Sequence, residues 1–99
     1  MAKIRRVVLD VLKPHDPSIL ALAKEIADVE GVLGVNISIY EIDRSVENVK
    51  VTIEGPDIPF EIIQKHVQAK GGAIHSIDEV AAGKEIVEEV RTPQDRHEW

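Results

Sequence analysis

Residues 34–55 read GVNISIYEIDRSVENVKVTIEG. Val35, Ile37 and Ile39 alternate with polar residues before the turn Asp43-Arg44-Ser45, and Val49, Val51 and Ile53 alternate after it. A period of two on both sides of a polar turn marks a β-hairpin with one buried face. The pattern predicts strands over 35–42 and 48–54, with those six residues facing one core. Asn36, Ser38, Tyr40, Ile42, Lys50 and Thr52 then point to the other side.

Matching strand-and-helix units flank the hairpin. Residues 4–12, IRRVVLDVL, are β-branched and apolar, with Val7, Leu9 and Val11 on one face and Arg6, Val8, Asp10 and Leu12 on the other. Apolar residues on both faces indicate a central strand. Lys13-Pro14-His15-Asp16-Pro17 breaks it, and Asp16 followed by Pro17 reads as a helix N-cap and first helical residue. A helix to about Glu30 follows, striped by Ile19, Leu22, Ala23, Ile26 and Val29 and closed by Gly31. After Gly55-Pro56-Asp57, Pro59 opens a second helix carrying Phe60, Ile62, Ile63, Val67 and Ala69, and Gly71-Gly72 ends it. Residues 73–82 form the last strand, with Asp78-Glu79 disturbing the alternation as a bulge would.

The element order β-α-β-β-α-β is the split βαβ pattern of the α+β, ferredoxin-like folds. Right-handed crossovers then give a four-stranded antiparallel sheet in the order 4-1-3-2 with both helices on one face. The expected organisation is a single domain over residues 1–91 and a flexible tail over 92–99. Residues 84–90, KEIVEEV, read as an extra C-terminal strand or a helical turn.

Composition narrows the function classes. Ninety-nine residues with 43% hydrophobic content suffice for one aliphatic core, and the absence of cysteine removes disulfides and thiolate metal sites. A net charge of −6 opposes a nucleic-acid partner, whose affinity rests on neutralising phosphates. No apolar run reaches membrane-spanning length, and the N-terminal run breaks at Asp10. The expected setting is the cytoplasm, with no membrane partner.

Antiparallel topology also predicts a site. The end of the first strand, the hairpin turn and the start of the last strand lie along one end of the sheet. Lys13, His15, Asp16, Glu41, Asp43, Glu47, His75 and Ser76 should gather there, with Asp10 and His75 about one residue step apart on the helix-free face. Asp10, His15, Glu41, Asp43, Glu47 and His75 are thus the candidate ligands of a divalent cation, and carboxylate oxygens favour calcium or magnesium over zinc. The plainer reading, which carries more weight, is that Glu41, Asp43 and Glu47 form a solvated hairpin tip balanced by Arg44, with His15 serving the helix entry. His75, Ser76 and Asp78 do not make a catalytic triad, because adjacent strand residues point to opposite faces. The glycines fall at element ends and form no phosphate-binding loop. On the helix-free face, Val8, Leu12, Tyr40, Ile42 and Ile77 mix with polar residues, a surface suited to a subunit interface.

The motifs VLDVLKPHDP, GVLGVNISIYEID, ENVKVTIEG and GGAIHSIDEVAAG together resemble a small archaeal family known as a domain of unknown function. The resemblance spans residues 4–90 and implies a ferredoxin-like fold and a soluble homo-oligomer such as a closed ring, without naming an activity. The leading expectation is a non-enzymatic, homo-oligomeric binding or regulatory module that takes a divalent cation at the carboxylate and histidine edge. Two alternatives accompany it: a small enzyme of acylphosphatase-like topology, and an amino-acid-type small-ligand sensor built at a subunit interface. Against the enzyme, the loop after the first strand has neither the arginine nor the glycines of a phosphate cradle.

Overall fold

The alternating row Val7, Leu9, Val11 makes β1 (Ile4–Pro14) the centre of the molecule, and in the computed structural model, which describes residues 1–93, all three side chains are buried. The elements that follow are α1 (Ile19–Ala27), β2 (Gly34–Ile42), β3 (Val46–Glu54), α2 (Phe60–Ala69) and β4 (Ala73–Ala82). The strands form one antiparallel sheet in the order β2-β3-β1-β4, which is 4-1-3-2 read from the other edge. The fold is the ferredoxin-like α+β arrangement. Leu22 and Ile26 of α1 and Ile63 and Val67 of α2 cover the row formed by Val7, Leu9, Val11, Val49, Val51 and Ile53, and Ile58 seals the core from the turn before α2.

Helix boundaries differ from the sequence expectation. Ser18, not Asp16, caps α1: its backbone is extended and its hydroxyl accepts a hydrogen bond from the Ala21 amide at 3.2 Å. A serine immediately before the first apolar residue satisfies the free amides of the first turn as well as the earlier aspartate would. The helix ends at Ala27, and two tight turns, Val29 N–H to Ile26 O and Val32 N–H to Val29 O, carry the chain to Gly31. Gly31 has φ of +100°, so it keeps the turn role expected of it. On α2, Ile62 is exposed beside the buried Ile63, since one residue step rotates a helix side chain by about 100° off the stripe.

Bulges change which residues share a face. Asp78 is the extra residue expected in β4, because Val8 pairs with Glu79 and Leu9 with Ile77. A second shift leaves His75 between the Asp10–Ser76 and Val11–Ile74 pairs, and a third leaves Tyr40 between Ile39–Val49 and Glu41–Asn48. Each extra residue reverses the alternation beyond it. Ile77 therefore pairs with the core residue Leu9 and Ile42 with Glu47, so neither belongs to the helix-free face where simple alternation placed it.

Residues 84–90 form neither a strand nor a helical turn. Arg6 draws this segment over the sheet, its Nη1 and Nη2 donating to Glu88 at 2.9 and 3.1 Å while Nε donates to Glu54 at 2.7 Å. A bidentate guanidinium–carboxylate contact fixes orientation as well as distance, which holds the segment away from the sheet edge. Most of the expected tail, residues 94–99, lies outside the described residues.

His66 links the helices. Its Nδ1 donates to Glu25 at 2.6 Å, and Lys70 reaches the other oxygen at 3.3 Å. The bond from His66, then the contact with Lys70, hold the Glu25 carboxyl below its ordinary value of 4.5 despite partial desolvation. Glu88 is lowered likewise by Arg6. A carboxyl with a depressed folded pKa contributes stability that is complete above its unfolded pKa and is lost as pH falls through the folded one. Urea unfolding midpoints should therefore drop between about pH 5 and pH 3, and Glu25→Gln should make that drop shallower.

Candidate functional site

Strand parity sets the chemistry at the hairpin end of the sheet. Lys13 continues the inward row of Val7, Leu9 and Val11, and Glu47 continues that of Val49, Val51 and Ile53. The register places them opposite each other, so a cation and an anion meet at the margin of the core. Lys13 is 2% exposed and Glu47 8%. Lys13 Nζ donates to Glu47 Oε1 at 2.8 Å and to the Pro14 carbonyl at 2.7 Å.

His15 and Asp43 extend this lock outward. His15 Nε2 donates to the Asp43 carbonyl at 2.7 Å, while Nδ1 stands 3.7 Å from Glu47 Oε2. Asp43 Oδ1 accepts from the amides of Val46 and Ser45, both at 2.9 Å, and closes the hairpin as an Asx turn. Those two amides, with a smaller contribution from His15, hold the Asp43 carboxyl below its usual 3.8.

The structure thus ties His15 to both Asp43 and Glu47, with Lys13 on Glu47. Glu41 stands exposed beside them, lining a shallow hollow with Leu12, Asp43 and Asn48. Asp10 lies further along β1 and His75 in its bulge, and the residue facing Asp10 is Ser76 rather than His75. Among the described residues, no group of three or more His, Asp or Glu side chains is arranged to hold a metal ion.

A second location was only partly visible in the sequence. On the helix-free face, a cleft of about 370 Å³ is lined by Val8, Asp10, Tyr40, Asn48, Lys50, Asp78 and Glu79, with Glu89 arriving from the C-terminal segment. Lys50 Nζ sits 5.8 Å from the centre of the Tyr40 ring, within cation–π range. Asp78 accepts a hydrogen bond from Ser76 at 2.7 Å, so the two share a face as alternation required. Asn48 Oδ1 is closed off from solvent and accepts no hydrogen bond. Asn48 borders both hollows, and only its register beside Leu12 and Glu41 could have drawn attention to it. Four carboxylates against one ammonium make the cleft receptive to hydrogen-bond donors and positive charge.

Residues 5–96 match the model of DUF211, a family described as an uncharacterized archaeal conserved region. The chain belongs to this family. It is also 59% identical over 97 residues to an uncharacterized protein of Methanocaldococcus jannaschii, an alignment covering 98% of this chain and 100% of that one. The motif resemblance read from the sequence is therefore a family relationship. Neither description names an activity, ligand or partner for this DUF211 chain's relatives. Among the described residues, no helix is long and apolar enough to cross a membrane.

Proposed function

We propose that this chain is a non-enzymatic binding module of the cytoplasm that assembles with copies of itself, edge strand to edge strand. The observation that carries this reading is a group of exposed apolar residues on the edge strands, although Leu20, Leu33 and Ile62 are exposed elsewhere. Tyr40 (67% exposed), Ile42 (57%) and Ile39 (38%) lie along β2, and Ile77 (50%) and Val80 (53%) lie along β4. These strands are the two edges of the sheet, each with a row of backbone groups free to pair. Joining β2 of one copy to β4 of the next is a heterologous contact, which generates a ring when the rotation closes. Light scattering should give a mass several times that of one chain. Ile77→Lys with Val80→Lys should reduce it to a single chain with the circular dichroism spectrum unchanged. A wild-type protein that is monomeric at every concentration would overturn the proposal.

Small-ligand sensing at the helix-free cleft is the second reading, and the unspent acceptor of Asn48 favours it. A ligand bearing an ammonium group would pair with the carboxylates lining the cleft, and it would reach the closed-off Asn48 oxygen only if the site opened. Thermal shift in the presence of amino acids and short diamines, compared between wild type and Asn48→Leu, tests this. A divalent cation at the acidic edge would use the exposed carboxylates of Glu41 and Asp43, with the remaining oxygens supplied by a second copy. Enzymatic acyl-phosphate chemistry is disfavoured, because the cation nearest the loop after β1, Lys13, is turned inward onto Glu47.

A further inference from the structure

The two arginines that open β1 are treated differently by the fold. Arg6 is bracketed by Glu54, Glu79 and Glu88. Among the described residues Arg5 meets no carboxylate: Nε donates to the Gly55 carbonyl at 3.1 Å, and Nη1 donates to the carbonyls of Lys84 at 2.7 Å and Gly83 at 3.4 Å. Carbonyl oxygens take its Nε and Nη1 donors and fix its position, and among the described residues no carboxylate compensates its positive charge.

Arg5 lines a hollow of about 650 Å³ at the end of the sheet opposite the hairpin, together with Lys3 and Lys84. Met1, Ala2 and Pro56 supply apolar walls, and among the described residues no aspartate or glutamate contributes to the lining. Neither lysine enters an ion pair among the described residues. The two are held close, because the Gly83 amide donates to the Lys3 carbonyl at 2.9 Å and Lys84 follows directly. Three cations converging without a counter-charge, on a chain of net charge −6, are a local reversal of the protein's own field.

We infer that this hollow binds a small organic anion, one with a phosphate or carboxylate group on an apolar body. The anionic group neutralises Arg5, Lys3 and Lys84, and the body rests against Met1, Ala2 and Pro56. The site stands apart from the cleft and from the edges invoked for assembly, so its test is independent of both.

Titrating the full chain with phenyl phosphate, and separately with inorganic phosphate, while recording amide NMR shifts reads the site directly. Phenyl phosphate should shift the amides of Lys3, Arg5, Gly83 and Lys84 saturably, and more tightly than inorganic phosphate does, because only the former meets the apolar wall. Lys3→Gln with Lys84→Gln changes two exposed side chains and leaves the carbonyl ties of Arg5 in place. This variant should weaken binding about tenfold or more with the remaining spectrum unchanged. Added sodium chloride should weaken binding in wild type. Shifts of equal size around Lys24 and Lys65, undiminished affinity in the double variant, or no saturable shift would overturn the inference.

Discussion

Glu47→Ala is expected to destabilise the protein by about 3–5 kcal/mol, because it strands the Lys13 ammonium in the protein margin without a counter-ion. Lys13 is 2% exposed, and among the described residues its one other acceptor is the Pro14 carbonyl. Urea unfolding would measure the loss, with the exposed neighbour Glu41→Ala, expected to stay within about 0.5 kcal/mol, as control. Removing both charges should behave differently: Lys13→Met with Glu47→Leu should recover most of the stability, since a buried ion pair contributes little beyond an apolar pair of similar volume. A single-variant loss no larger than that of Glu41→Ala would mean that water reaches Lys13 and that the pair is not buried in solution.

The second large effect is expected at Gly31 and Gly55. These residues bring the α1–β2 and β3–α2 connections into backbone contact. A Cβ on Gly55 would overlap the Gly31 carbonyl and come within 2.9 Å of Val32 Cα. A Cβ on Gly31 would overlap the Asp57 carbonyl, in a residue whose φ of +100° already excludes ordinary side chains. Each alanine substitution should cost about 3 kcal/mol or more, since backbone cannot move aside as a side-chain tip can. Both changes force the same two connections apart. The double variant should therefore cost clearly less than the sum of the singles, which a thermal or urea series on the four proteins would show. Full additivity would mean that the two glycines are strained independently.

Sheet order, both helices and the Asp78 bulge were legible because alternation and glycine punctuation are strong signals here. The Lys13–Glu47 pair was legible in principle: each residue extends an inward-facing row by one step of two, and the register makes those rows meet. Charge argued for solvent at those positions and parity argued for the core, and parity prevailed because each charge neutralised the other. The bulges at Tyr40 and His75 carry no glycine or other marker in the sequence. They moved Ile42 and Ile77 off the helix-free face and separated His75 from the residues with which it was expected to act. Ser18 outcompeted Asp16 as a cap for a reason equally local, its position one residue before Ile19.

The same bulges have a consequence for how far strands can add to this sheet. Both edges are interrupted, β2 at Tyr40 and β4 at His75 and Asp78. An incoming strand can follow β2 in register only along the stretch before Tyr40, and the increased local twist at each interruption then turns the two chains apart. Long, flat, indefinitely repeating ladders of the amyloid type need an edge without such breaks. Irregularity at these positions keeps a valine- and isoleucine-rich sheet with two open edges from templating its own fibrils.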